Sequence, residues 1–222
     1  MLCIVQARMS SKRLPGKTLK KINSKPLIYY LIKSLKRSNK IKQIIVATSN
    51  RIDDKKILSY CKRNNILYYA GPLKNVSLRF KKILENTKFT EFIRVSADSP
   101  LLDYKIINKA ISIYNKSKPD IVTNIFKRTF PKGQSVEIIK KQIFLKNYIN
   151  FKKPEELEHV TSYFYNNKKK FNIVNFRFKY NISDINLSVD NMKDFRIVQK
   201  ILKKVKNNDL SKILRLIKWK IV

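Results

Sequence analysis

The residues with the clearest chemical purpose lie near the amino end. Within residues 2–21, LCIVQARMSSKRLPGKTLKK, the cations Arg8, Lys12, Arg13, Lys17, Lys20 and Lys21 crowd a loop that turns on Pro15-Gly16. No Asp or Glu occurs before Asp53. A basic loop set between a short apolar strand and a helix is how α/β proteins hold a phosphate chain. Backbone N–H groups cradle the oxygens and cationic side chains neutralise them. It is not a Walker A loop, because G-x-x-x-x-G-K-[ST] is absent. The complementary signal is Asp98, directly after an apolar strand pattern. In open α/β sheets ligands bind beyond the carboxyl ends of the strands, which sets Asp98 on the same rim as Arg8 and Lys17. A carboxylate facing a triphosphate repels it unless a cation stands between them. Mg²⁺, held by one or two carboxylates plus phosphate oxygens, is that cation. Read locally, the lesser alternative for Asp98 is a helix cap or a turn former, whereas Asp103 reads as the cap of the next helix.

The elements that must position these groups alternate. Residues 2–5, 43–48, 66–70 and 91–97 read as buried strands. Residues 25–37, 53–64 and 75–85 read as helices, with stripes such as Leu27, Ile28, Leu31 and Leu35 at helical spacing. Asp53 and Asp54 favour the N-terminal dipole of the second helix. The alternation predicts a parallel sheet covered by helices. The pattern then loosens into a helix at 105–114, strands at 119–123, 134–139 and 173–178, and a helix at 155–165 carrying Glu158 and His159. Residues 187–190 resemble a further strand ending in the carboxylate of Asp190. A helix at 191–205 and a final amphipathic helix follow. Gly16, Gly71 and Gly133 are the only glycines, and each is expected in a turn at positive φ.

Composition narrows the classes. A chain of 222 residues suits one domain with a sizeable core. No apolar run approaches the ~20 residues of a membrane span, and the N-terminus lacks the pattern of a signal peptide. Cys3 and Cys61 fall in predicted buried elements, as reduced thiols of a cytosolic protein do. One histidine and no cysteine pair at ligand spacing argue against structural zinc. The net charge of +35 permits a basic nucleic-acid-binding protein. Lysine is instead spread along the whole length, Ile and Asn are also plentiful, and no RNA-binding aromatic motif accompanies it. The charge is therefore read as a compositional habit that speeds the arrival of an anionic nucleotide.

The motifs resemble those of the nucleotide-sugar cytidylyltransferases: the 3-deoxy-manno-octulosonate, acylneuraminate and spore-coat polysaccharide biosynthesis groups, the last nearest in wording. IVQARMSSKRLPGKTL is similar to their QARMGSTRLPGK signature, and RVSADSPLLD to R-x-T-G-D-x-P-L-I-D. GQSVEI resembles G-L-D-V-E-V, LEHVTSYFY resembles R-E-H-V-T-P-Y-I-Y, and LSVDNMKDF resembles W-T-V-D-T-P-E-D-F. The resemblance implies an α/β nucleotide-diphospho-sugar transferase fold, Rossmann-like, with a mixed, mostly parallel sheet and helices on both faces. Residues 1–206 would form the nucleotidyltransferase domain, with 126–180 as an acceptor-binding and dimerisation excursion and 207–222 as a C-terminal amphipathic helix. It also implies CTP as donor, a sugar-acid acceptor and Mg²⁺. The excursion at 126–180 leads us to expect a homodimer, and the spread of the charge to expect no specific nucleic acid.

Carried over residue by residue, Arg8, Arg13 and Lys17 would hold the triphosphate, with Gln6 and Ala7 near the base and Arg79 near the nucleotide. Lys17, Arg13 and Asp98 would be catalytic, and Asp98 and Asp190 would bind metal. Gly133, Glu137, Glu158 and His159 would line the acceptor side. His159 is read either as a base or as a substrate or structural hydrogen bond. The chain departs from the family wording at Ser10, Ala97, Ser135 and Leu157, where glycine, glycine, aspartate and arginine are usual. The alternatives are an enzyme using UTP or GTP, a glycosyltransferase on a similar fold, a binding module without activity, or the nucleic-acid binder above.

Overall fold

The structure is a computed structural model that describes residues 1–218. In chain order it runs β1 (Leu2–Gln6), β2 (Lys21–Ile22), β3 (Lys25–Pro26), α1 (Leu27–Leu35), β4 (Gln43–Ser49), α2 (Lys55–Arg63), β5 (Leu67–Gly71) and α3 (Val76–Glu85). There follow β6 (Glu91–Ser96), α4 (Tyr104–Ser117), β7 (Ile121–Thr123), β8 (Glu137–Lys140), α5 (Lys141–Asn147), α6 (Pro154–Glu158), α7 (Ser162–Asn166), β9 (Ile173–Asn175), α8 (Met192–Lys204) and α9 (Leu210–Lys218). A seven-stranded sheet has the order β5-β4-β1-β6-β8-β7-β9, and β2 and β3 form a separate hairpin. Among the described strands of the large sheet β8 alone runs against its neighbours β6 and β7. Its first residue, Glu137, therefore sits on the rim where β1, β4 and β6 end, paired with Arg94 and Thr123.

The central strands are apolar on both faces, as a sheet covered on two sides requires. Successive side chains point to opposite faces. Cys3, Val5, Ile93 and Val95 pack with Leu27 and Leu31 of α1, Ile107 of α4 and Phe195 of α8. Leu2, Ile4 and Phe92 pack on the other side with Phe80 of α3, Phe144 of α5 and Phe164 of α7. The Phe92 ring lies edge-on to Phe144 at 5.5 Å between centroids. Cys3 and Cys61 are free and buried, and burial pushes the Cys61 thiol up to about 12. Among the described residues no helix is long and apolar enough to cross a membrane.

Several expected boundaries shift for identifiable reasons. The helix expected from residue 25 starts at Leu27, because Asn23 and Ser24 adopt positive φ and fold residues 21–26 into the hairpin. The helix expected over 155–165 breaks at His159 (φ −108, ψ 82). The β-branched pair Val160-Thr161 follows the break, and Val160 is fully buried in the core beneath α3. The strand expected from residue 134 starts at Glu137, because Asn124 takes over its backbone: Nδ2 donates to Gln134 O at 2.7 Å and Oδ1 accepts from Val136 N at 2.9 Å. Residues 187–190 form no strand, and the segment crosses the strand ends instead. Leu187 N donates to Lys132 O and Val189 N to Asp98 O. Gly71 closes β5 without positive φ. Its missing side chain makes room for Arg79, whose Cγ a Cβ there would approach to 2.9 Å. Asp103 does cap α4, accepting from Lys105 N, and its second oxygen accepts from Leu210 N at the start of α9. The last part of the expected C-terminal helix, residues 219–222, lies outside the described residues.

Candidate active site

The basic loop leaves β1 at Gln6 and is pinned before it reaches any ligand. Ala7 N donates to Ala47 O at 3.0 Å, Gly16 N to Met9 O at 2.9 Å, and Thr18 Oγ1 to Arg8 O at 2.8 Å. Gly16 turns the chain at φ 72. The anchor beneath is Asp54, only 1% exposed. It accepts from Met9 N at 2.6 Å, from Ser49 N at 3.3 Å and from the Ser49 hydroxyl. The sequence reading gave Asp54 a helix-dipole role. The structure assigns it the task of tying the loop to the end of β4.

This scaffold turns Lys17 inward. Its ammonium donates to Val189 O at 2.6 Å, to Asp190 Oδ1 at 3.2 Å and to Asp98 Oδ2 at 3.3 Å. Arg13 Nη2 reaches Asp190 Oδ1 at 3.1 Å. Lys17 and Asp190 are 173 residues apart in sequence, and the Val189 N to Asp98 O bond at 2.8 Å holds the two acidic segments side by side. A cavity of about 620 Å³ opens over this group, walled by Gln6, Ala7, Arg8, Arg13, Lys17, Asp98 and Asp190, with Ser10 and Ala97 also in the wall. Lys12 lines it as well. Lys20 does not: its ammonium lies over the Phe195 ring at 5.4 Å, and Lys21 is exposed in β2.

A second cavity of about 370 Å³ shares Gln6, Arg8, Ser96 and Asp98 with the first. Gly133, Glu137, Glu158 and His159 all line it. Glu158 is paired with Arg8 at 2.6 Å. Glu137, 2% exposed, accepts from Arg94 Nη1 at 2.5 Å and from the Tyr165 hydroxyl at 2.5 Å. Burial beside that carboxylate raises the Tyr165 phenol well above its usual range, so it stays a donor. Arg94 Nη2 continues to Gln6 Oε1 at 3.2 Å, linking the two cavities. Gly133, at φ 87, is pressed against the backbone of Leu187 and Ser188, which a Cβ would approach to 2.6 Å.

Arg79 departs from its expected place at the nucleotide. It is fully buried behind the first cavity's wall and donates from Nη2 to the carbonyl of Leu73, a wall residue, at 3.3 Å. Its Nε and Nη1 have no partner among the described residues, and burial pushes its ionisation down to about 10. The sequence reading missed Asp54, Arg94, Arg128 and Tyr165. A charged residue inside the apolar run EFIRVSA was the available signal for Arg94.

The donor set suits a hard divalent cation. Two carboxylates face one cavity and already share a cation, the Lys17 ammonium. Mg²⁺ is commonly held by one or two carboxylates with phosphate oxygens completing the shell. Among the described residues no cluster of three or more acidic, histidine or cysteine ligands would hold a metal by itself.

The chain as a whole is similar to known proteins. The family model described as Cytidylyltransferase matches residues 2–222. The spore coat polysaccharide biosynthesis protein SpsF of Bacillus subtilis is 24% identical over 211 residues, covering 92% of this chain and 87% of that protein. A cytidylyltransferase structure from Leptospira borgpetersenii matches with a TM-score of 0.92 at 24% identity, over 98% of this chain and 93% of that one. The structure of CMP:2-keto-3-deoxy-manno-octonic acid synthetase complexed with CTP matches with a TM-score of 0.70 at 14% identity, over 91% and 98% of the two chains.

Proposed function

The chain belongs to the cytidylyltransferase family, and from that premise we propose that it transfers CMP from CTP to a sugar acid with release of pyrophosphate. It is a nucleotidyltransferase with the nucleotide-diphospho-sugar transferase fold. The observation that carries the finer reading is the meeting of Lys17, Arg13, Asp98 and Asp190 on one cavity wall, beside a second cavity that shares Asp98. The CTP bound in the octonic acid synthetase and the polysaccharide role in SpsF's name support the choice of donor and of product class.

In the proposed reaction an acceptor hydroxyl oxygen bonds to the α-phosphorus of CTP. The bond from that phosphorus to the bridging oxygen breaks, pyrophosphate departs with the electron pair, and the hydroxyl proton passes to water. Such transfers ask for in-line positioning and stabilisation of spreading negative charge. Lys17 and Arg13 neutralise the departing pyrophosphate, Arg8 holds the phosphates, and Gln6 and Ala7 border the base. Asp98 and Asp190 would hold Mg²⁺, which supplies charge neutralisation at the phosphates when bound. Before ligand arrives, the Lys17 ammonium keeps the two carboxylates compensated and in place. Glu137 and Glu158, each fixed by an arginine, and His159 shape the acceptor side.

A pyrophosphate-release assay across CTP, UTP, GTP and ATP, with a panel of sugar acids and with or without Mg²⁺, tests this. CTP-selective, Mg²⁺-dependent release is expected. Equal release from UTP or GTP, or release indifferent to Mg²⁺, refutes it.

A further inference from the structure

The acceptor-side cavity carries more positive charge than its acids cancel. Arg8 is taken by Glu158 and Arg94 by Glu137. Arg128 and Lys132 also line the cavity, and among the described residues neither has a carboxylate partner. Arg128 sits in the turn after β7, and its Nη2 donates to Ser135 Oγ at 3.1 Å. Its Nη1 is buried and has no partner among the described residues. A buried N–H without an acceptor costs about 1–3 kcal/mol, more when charged, so the group is built to receive one. Burial also disfavours the charged guanidinium, with Glu137 opposing that effect.

Ser135 makes this charge available. The family wording has aspartate at that position, and an aspartate within 3.1 Å of the guanidinium would neutralise it. We propose that Arg128, with Ser135 and Lys132, receives the carboxylate of the acceptor, and that this contact makes the enzyme selective for acids over neutral sugars. A planar two-oxygen anion matches the guanidinium fork. Anchored there, an acceptor can extend its hydroxyl end toward the wall of Ser96 and Asp98 shared with the nucleotide cavity. A neutral acceptor leaves the buried N–H unpaired, which is how a polar site rejects an analogue that lacks its partner. The proposal rests on the cytidylyl-transfer reading and deepens it.

The test uses the whole chain as wild type, Arg128→Gln, Arg128→Lys and Ser135→Asp. Calorimetric titrations with 3-deoxy-manno-octulosonate, N-acetylneuraminate and gluconate, each against its methyl ester, read charge selectivity without turnover. Pyrophosphate release gives KM and kcat in parallel, and a CTP-induced thermal shift is recorded for every variant. The wild type is expected to bind at least one acid ~10-fold or more tightly than its ester. Arg128→Gln and Ser135→Asp should raise the KM of that acid ~10-fold or more and flatten the acid-to-ester ratio, with Arg128→Lys retaining part of it. KM for CTP and the CTP shift should not move. A variant that weakens acid and ester equally, a wild type without acid preference, or a preference for sugar phosphates lacking a carboxylate overturns the proposal. Failure of the nucleotide reading shows separately, as absence of a CTP shift in the wild type.

Discussion

Replacing Asp54 by asparagine tests whether the basic loop after β1 is held from below. The carboxylate is buried and accepts from Met9 N, Ser49 N and the Ser49 hydroxyl. Asparagine keeps the volume but turns one acceptor oxygen into an NH₂ donor. Whichever way the amide is turned, its NH₂ faces a backbone N–H that needs an acceptor, that of Met9 or that of Ser49. Hydrogen bonds to charged groups contribute roughly 1.5–3 kcal/mol each, and a buried unsatisfied donor costs ~1–3 kcal/mol. Removing the cost of burying a charge offsets part of this, leaving a net loss of about 2–4 kcal/mol. At roughly 2–4 °C per kcal/mol for a chain of this size, Tm should fall by roughly 4–16 °C. Because Met9 lies in the loop, KM for CTP should rise while KM for the acceptor stays near wild type. Thermal scans and CTP titrations read both. Ser49→Ala, which spares the Met9 bond, should lose less. A Tm within ~2 °C of wild type together with unchanged CTP affinity would refute the reasoning.

Four other variants follow from the geometry. Asp98→Asn should slow pyrophosphate release by at least ~10²-fold, as expected when a transition-state electrostatic contact is lost, while thermal scans still show a folded protein; near-normal release rejects its role. Gly133→Ala should destabilise far more than Gly16→Ala. Both sit at positive φ, but a Cβ at Gly133 would meet backbone at 2.6 Å, whereas at Gly16 the nearest atom is the flexible end of Met9 at 3.5 Å. Equal Tm losses would contradict this. Arg79→Met should raise Tm between pH 6 and 9, by roughly 2–6 °C. Burial lowers the folded-state value of Arg79 to about 10, so the folded chain binds that proton less tightly than the unfolded one, and burying the charge costs stability at neutral pH. That cost fades as pH rises above about 10, and a lower Tm for the variant at pH 7 would overturn the assignment.

The sequence by itself determined the elements whose burial is written locally. Apolar runs located β1, β4, β5 and β6, helical stripes located α1, α2 and α3, and the basic loop and Asp98 were placed on one rim, where they line one cavity. Motif wording carried Gly133, Glu137, Glu158 and His159 to what proved to be one cavity. What only the tertiary structure decided were the partners. The reversed direction of β8 puts Glu137 on the same rim as Arg94. The crossing segment at Val189 brings Asp190 to Lys17, and Asp54 turns from a helix-end charge into the loop's anchor. Arg79 went behind the wall, and Arg128 was left with an open hydrogen-bonding position. Periodicity records which face of an element is shielded from water. It does not record which distant donor meets which acceptor, because that depends on how the chain returns to the rim.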